Sequence, residues 1–375
     1  MRIVFDFTPV IESKYTGFYT YGVNLLQSMQ KLPECPEFGL FYFTRFEEAA
    51  QEEISKLNDN FKLYPTKIKM RWLEKMWSLS SVPKLQHFTK DFDIYHSFYH
   101  LMPPTKKRPR VVTVYDLRRF KFPDIYKKSK TEYFVNAIKD CDHIISISDA
   151  TTQDLCEIFN LPEKKITRVY LGPDTDVEEM NNERINEAKS IVNQQNNGIG
   201  CEYFVTISAT DIRKNIANTI KGFIASDLSD DSRLVVVGFQ PKDNKELEEV
   251  LSDPQIASRV IMLGAVEDIN AFIAASKGLI FATLYEGFGI PIANAMKMNV
   301  PVITSNVSSM PEVGGDAALY VDPFSISDIT SAIDKLINNN EFRDSMIKKG
   351  VKHSKQFTWE NTAKQTLDVY KKLLK

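Results

Sequence analysis

Two short stretches of this chain carry the residue types that could hold a diphosphate. In "ISATDIRKNIANTI" (207–220) an apolar run ends, Arg213 and Lys214 follow, and helical spacing begins. A helix start favours an anion because its unpaired N–H groups and its dipole point the same way, and adjacent cations strengthen that preference. In "LYEGFGIPIANAM" (284–296), Glu286 stands before Gly287, Phe288 and Gly289, and Ile290 opens a helix with Pro291 just inside it. Glycines reach backbone angles closed to other residues, and a proline at that position gives up no needed N–H. Both turns leave apolar runs of the same kind, so both are expected at the carboxyl edge of one sheet. The chemistry they suit is stabilisation of a diphosphate, with Glu286 beside it.

Other candidates are weaker. His96 and His100 have an i,i+4 spacing but fall across a strand end and a proline-containing loop, so a two-histidine metal face is not expected. "DFD" (91–93) and "DTD" (174–176) have the D-x-D form, yet one precedes a buried strand and the other lies in a presumed linker. No metal site is expected. "KMRWLEKMWSL" (69–79) mixes Trp72, Met76 and Trp77 with Arg71 and Lys75, which suits either core packing or a helix lying in a lipid interface.

The elements that must position these residues read as two successive βα modules. Nearly uniform apolar runs such as "IVFDF", "GLFYF", "RVVTVYD" and "HIISIS" indicate strands covered on both faces, hence a parallel sheet between helices. Residues 174–200 turn polar, and the pattern then restarts with "YFVTIS", "RLVVVGF", "GLIFAT" and "PVITSN". The expected fold class is α/β, with two Rossmann-like doubly wound domains facing across a cleft. The expected boundaries are 1–175, 176–357, and a C-terminal helix 358–375 that packs back toward the N-terminal domain, with Thr358 as its N-cap.

The 375 residues carry a formal charge of −2, which excludes a strongly basic nucleic-acid binder. The charge is uneven: residues 62–130 hold 17 lysines and arginines against 5 acids. Such a field asks for an anionic partner, such as a membrane surface, or is simply a solvated face. Cys35, Cys141, Cys156 and Cys201 have no paired spacing, so a reducing cytoplasm is expected. "MRIVFDFTPV" reads as a buried first strand rather than a signal peptide. No apolar stretch is long enough to span a bilayer, so any membrane contact would be peripheral, at the inner face.

The order "RKN", "VVG", "RVIMLG", "LYEGFGIP", "PVITSNVSSMPEVGGDAALYVDP", "FTWENTA" resembles the family 4 retaining glycosyltransferases of GT-B fold, also called glycosyl transferases group 1. "TGFYTYGVNLL", "DIYHS", "VVTVYDLRRFKFP", "IISISDATTQDL" and "RVYLGPD" agree more loosely in the first half. The resemblance implies a nucleotide-sugar donor in the C-terminal domain and an acceptor in the N-terminal one. It makes Arg213 and Lys214 the donor-diphosphate cations and Glu286 the first acid of an E-x7-E signature, lying against the donor sugar. Gly287 and the amides of Phe288, Gly289 and Ile290 become sugar and phosphate contacts. His96 becomes the acceptor-side catalytic histidine, with an ordinary hydrogen-bonded histidine as the alternative, and Gly17 belongs to the glycine loop after strand one.

Four positions depart from the family's pattern. Asn294 replaces the second acid, Tyr19 a loop glycine, Tyr115 a histidine and Ser208 a glycine. Residue 294 is expected to meet the nucleotide ribose, so that Asn294→Glu would tighten nucleotide binding. The activity implied is retaining, metal-independent transfer of a hexose or deoxyhexose, with GDP-mannose the first donor. The acceptor would be a glycan or lipid-linked glycan in cell-surface polysaccharide synthesis. A non-catalytic GT-B partner or chaperone subunit of an active transferase is the alternative. No lysine suited to pyridoxal phosphate is identifiable, and no cofactor is expected.

Overall fold

The structure is a computed structural model that describes residues 1–12, 17–55, 57, 61–126, 131–208, 211–239 and 244–375. The end of the basic segment at 127–130 and the residues just before Gly17 lie outside the described residues. The chain divides into two compact units, Met1–Gly172 with Thr358–Lys375, and Pro173–Phe357.

In the first unit, β1 (Arg2–Asp6), β2 (Glu37–Phe43), β3 (Phe61–Thr66), β4 (Ile94–Ser97), β5 (Arg110–Val114), β6 (His143–Ser146) and β7 (Ile166–Arg168) form a seven-stranded sheet. Its order is β3-β2-β1-β4-β5-β6-β7 and every pairing is parallel. β1 and β4 are buried along nearly their whole length, which is why their sequences are apolar without alternation. The chain leaves β1 toward one edge and comes back at β4 to build the other. A crevice therefore opens past the carboxyl ends of β1 and β4.

The second unit repeats the scheme. β8 (Tyr203–Ile207), β9 (Arg233–Val237), β10 (Val260–Gly264), β11 (Leu279–Phe281), β12 (Val302–Ser305) and β13 (Ala318–Val321) form a parallel sheet of order β10-β9-β8-β11-β12-β13. Its reversal falls between β8 and β11. Phe204, Ile220, Phe223, Leu234, Ile280, Ile303 and Ile333 are among the buried side chains that join the strands to the flanking helices.

The passage between units falls three residues before the expected 175/176 boundary. Asp174 and Asp176 belong to the second unit because their carboxylates accept from Asn270, Asn294 and Arg184 there. These bonds also account for the "DTD" at 174–176. The C-terminal helix Trp359–Leu373 belongs to the first unit, where it packs on the helix Gly17–Gln30. Thr358 caps it, its side chain accepting from the Asn361 N–H. Thr362 donates to the Tyr170 carbonyl at 2.7 Å, and a Cβ on Gly172 would lie 2.5 Å from the Trp359 ring. Among the described residues no helix is long and apolar enough to cross a membrane.

Candidate active site

The two stretches that sequence placed at one sheet edge meet at the β8/β11 reversal. After β8 the chain enters a single turn of 3-10 helix, Ile212–Lys214, capped by the Asp211 side chain, which accepts from the Arg213 N–H. Arg213 is only 3% exposed. Its Nε donates to Asp211 Oδ2 at 2.8 Å, Nη1 donates to the Tyr285 carbonyl, and Nη1 lies 3.5 Å from Glu286 Oε1. Lys214 Nζ stands 2.8 Å from the same Glu286 oxygen and 4.6 Å from the centre of the Phe281 ring. The turn is tied across the sheet by Leu284 N–H and Thr283 Oγ1, each donating to the Arg213 carbonyl at 2.8 Å. Two cations and one acid, largely buried, thus share one point at a strand reversal. In such surroundings a charge acts with little screening.

The glycine turn after Glu286 is sterically determined. Gly289 has φ +103°, a backbone conformation that a side chain would strain, while the Met310 methyl that a Cβ would meet at 2.8 Å is the end of a flexible chain that can give way. It begins the helix Ile290–Lys297, which has Pro291 in its first turn. Ser309 Oγ donates to the Glu286 and Phe288 carbonyls at 2.9 and 3.0 Å, and Ser308 Oγ donates to the Glu286 carbonyl. Glu286 is therefore held by both ends, its backbone by two serines and its carboxylate by the cations.

Asn294 is placed otherwise than expected. It is 1% exposed. Its Nδ2 donates to Asp174 Oδ2 at 2.7 Å and to Asn270 Oδ1 at 2.9 Å, while its Oδ1 accepts from the Asp174 N–H at 3.0 Å. Both amide donors are spent inside the protein, so the side chain locks the start of the second unit to its helices instead of presenting itself to a ribose. Ser208 is accommodated by donating to the Phe239 carbonyl at 2.8 Å.

His96 also needs correction. It lies within β4, fully buried, with Nδ1 2.5 Å from the Tyr370 hydroxyl and Nε2 2.8 Å from Thr113 Oγ1. Burial pushes its pKa down to about 3, so the ring is neutral and structural, covered by the C-terminal helix. Gly17 begins a helix with open space where a Cβ would stand, so sterics do not demand glycine there.

The histidine at the β1/β4 crevice is His100, which sequence reasoning set aside with the metal pair. His100 and Glu74, 3.0 Å apart, line a cavity of about 610 Å³ formed wholly within the first unit. Asp6, 2% exposed at the end of β1, lines it too, and burial pushes this carboxyl up to about 7 even though it accepts from the Thr8 N–H. Phe18, Tyr99, Tyr115 and Tyr133 supply aromatic wall. Tyr115 stands edge-on to Phe18 at 4.8 Å between ring centres, and its buried hydroxyl has no partner among the described residues. The available signal was the position of Asp6 at the end of one strand and His100 just past another of the same sheet. Among the described residues no group of three or more His, Cys, Asp and Glu is placed to hold a metal ion.

Comparison with known proteins identifies the family and the fold. Glycosyltransferase Family 4 matches residues 37–177, and Glycosyl transferases group 1 matches residues 189–353, the stretch that holds Arg213, Lys214 and Glu286. The chain belongs to glycosyltransferase family 4. This glycosyltransferase is 26% identical to the O-antigen chain mannosyltransferase B of Escherichia coli over the whole of both chains. It is 23% identical to the O-antigen chain mannosyltransferase RfbU of Salmonella typhimurium, over 82% of this chain and 83% of the other. Its fold is GT-B, shared with HepE of Anabaena, solved with UDP and glucose, at a TM-score of 0.74, with 16% identity over 99% of this chain and 100% of that one. WaaG, a glycosyltransferase involved in lipopolysaccharide biosynthesis, superimposes at a TM-score of 0.70, with 14% identity over 99% of this chain and 99% of that one.

Proposed function

We propose that this glycosyltransferase moves a hexose, mannose from GDP-mannose first, with retention and without a metal ion, onto a glycan or lipid-linked glycan in cell-surface polysaccharide synthesis. The observation that carries the reading is the cluster of Arg213 and Lys214 on Glu286 at the β8/β11 reversal. The O-antigen mannosyltransferases among its relatives support the sugar and the kind of polymer.

In this mechanism the anomeric carbon–oxygen bond to the diphosphate breaks as the acceptor oxygen bonds to the same face of that carbon. The acceptor's proton passes to the departing phosphate oxygen. Arg213 and Lys214 stabilise the charge growing on the diphosphate, the task a metal ion performs elsewhere, and their positions are fixed beforehand by Asp211, Phe281 and the Tyr285 carbonyl. Preorganised groups of this kind contribute roughly 3–4 kcal/mol each. Glu286 accepts sugar hydroxyls while Lys214 holds its carboxylate in place. Lys214→Ala is expected to lower kcat/KM by roughly a hundredfold or more, since Arg213 still holds Glu286 but cannot reach as far. Nucleotide release from GDP-mannose, UDP-glucose and other nucleotide sugars, with a lipid extract as acceptor, measures this. A wild type that neither turns over nor binds any nucleotide would replace this reading with the non-catalytic partner.

The β1/β4 cavity suits the acceptor's sugar end. Flat aromatic side chains cover the apolar face of a pyranose, and carboxylates accept pairs of hydroxyls. Asp6 can accept two hydroxyls only when ionised, and its carboxyl titrates at about 7. The KM for acceptor is therefore expected to fall as pH rises through about 7, and Asp6→Asn is expected to flatten that profile, with donor KM unaffected. An acceptor KM that is independent of pH in the wild type would remove Asp6 from the site.

A further inference from the structure

The helix Met70–Leu79 has two apolar faces, and the fold uses one. Leu73 is buried, and Met70 and Trp77 pack beside it on the core of β2–β4 residues. On the opposite side Trp72, Met76 and Leu79, spaced i, i+4 and i+7, point outward at 53%, 41% and 78% exposure. The same stretch exposes Leu63, Ile68 and Val82. A run of about twenty residues thus shows six large apolar side chains to solvent, a concentration that marks an interaction surface.

The charge beside that stripe selects the partner. Residues 61–90 contain seven lysines and arginines and a single acid, Glu74. Glu74 is turned inward onto His100, its side chain 12% exposed. Lys62, Lys67, Lys69, Arg71 and Lys75 are all exposed, and Arg71 and Lys75 border the apolar stripe on the helix itself. Lys62 is shared with Glu37. A protein partner's surface carries both signs, whereas an anionic bilayer offers one sign over an apolar interior. Long basic side chains reach the headgroups while Trp, Met and Leu enter the acyl boundary.

We infer that the outer face of the helix Met70–Leu79, with the lysines flanking it, docks this protein on an anionic lipid bilayer. The helix then has a double role, because its other side contributes Met70 and Glu74 to the β1/β4 cavity. Docking would place that cavity beside the bilayer, where a lipid-linked chain ends. The inference does not depend on the activity proposed above, since its readout is lipid binding.

The test is flotation with phosphatidylcholine vesicles and with vesicles that also contain phosphatidylglycerol. Binding to the anionic vesicles is expected at least about tenfold tighter, and weakened by salt as exposed charges are screened. Trp72→Ala/Leu79→Ala is expected to reduce binding about tenfold or more, as is Lys67→Glu/Lys69→Glu. Each variant should keep the wild-type thermal transition and turnover of a water-soluble acceptor. Brominated lipid should quench tryptophan emission in the wild type and not in Trp72→Ala, because Trp77 and Trp359 are not on the outer stripe. Equal binding to both vesicle types, unchanged binding by both variants, or self-association of the protein through this face with no vesicle binding would each overturn the inference.

Discussion

Arg213→Ala is expected to remove nearly all glycosyl transfer and to lower the stability of the second unit at once. The guanidinium is buried and serves three oxygens, those of Asp211, Glu286 and the Tyr285 carbonyl. Removing it leaves two carboxylates near each other with Lys214 as the remaining cation. Breaking a buried pair by deleting one partner costs about 3–5 kcal/mol, because the other charge stays where water cannot reach it. In the reaction, the loss of a preorganised donor to the leaving group adds a factor of roughly 10²–10³. Arg213→Lys does not rescue, since an ammonium cannot serve three directions in the guanidinium plane. Urea unfolding and kcat/KM on the wild type, Arg213→Ala and Lys214→Ala separate the two contributions. Lys214 lies further out and should cost activity with less stability. A fully stable Arg213→Ala variant retaining wild-type turnover would mean that the cluster is neither structural nor catalytic.

How far the sequence reached can be read from individual residues. Arg213, Lys214 and Glu286 were legible because each stands in the turn a few residues after an apolar run, and where a strand ends in a parallel sheet the turn that follows lies at the binding edge. Their meeting needed only the βα order, which composition and spacing already contained. Direction within a strand or helix was not legible in the same way. His96 is one residue short of the end of β4, and its ring is claimed by Tyr370, 274 positions later. His100, past the strand, reaches the cavity instead. Trp72 and Trp77 stand in one stretch that suits core packing or a lipid interface, yet five residues along a helix leave their directions about 140° apart. Hence Trp77 packs on the core while Trp72 faces outward. The domain boundary was misplaced by three residues because polar composition suggested a linker. Asp174 and Asp176 are polar since they bind Asn270, Asn294 and Arg184.

Asn294→Glu carries the second large effect, and its expected sign reverses the one drawn from sequence alone. The amide lies between Asp174 and Asn270, giving both N–H bonds to oxygens, at 2.7 and 2.9 Å. The introduced carboxylate would turn acceptors toward those acceptors, stranding two buried groups at about 1–3 kcal/mol each. It would also set one carboxyl against another where burial already raises the Asp174 pKa. A total near 3–5 kcal/mol is expected at neutral pH. Two carboxyls in one buried site cannot both ionise, so the folded variant keeps a proton that the unfolded chain releases. Where the folded state binds more protons, stability falls as pH rises. The deficit relative to wild type should therefore narrow from pH 7 toward the ordinary carboxyl range, the paired site gaining its proton with an O–H that can donate to Asp174. Urea midpoints for wild type and Asn294→Glu across that range, with calorimetry of GDP and UDP binding, decide the matter. A variant as stable as wild type with tighter nucleotide binding would show that residue 294 turns out of its network to meet the ligand. A variant weakened at pH 7, partly restored in acid and no better at binding nucleotide would show that Asn294 is there to fasten Asp174, and with it the start of the second unit.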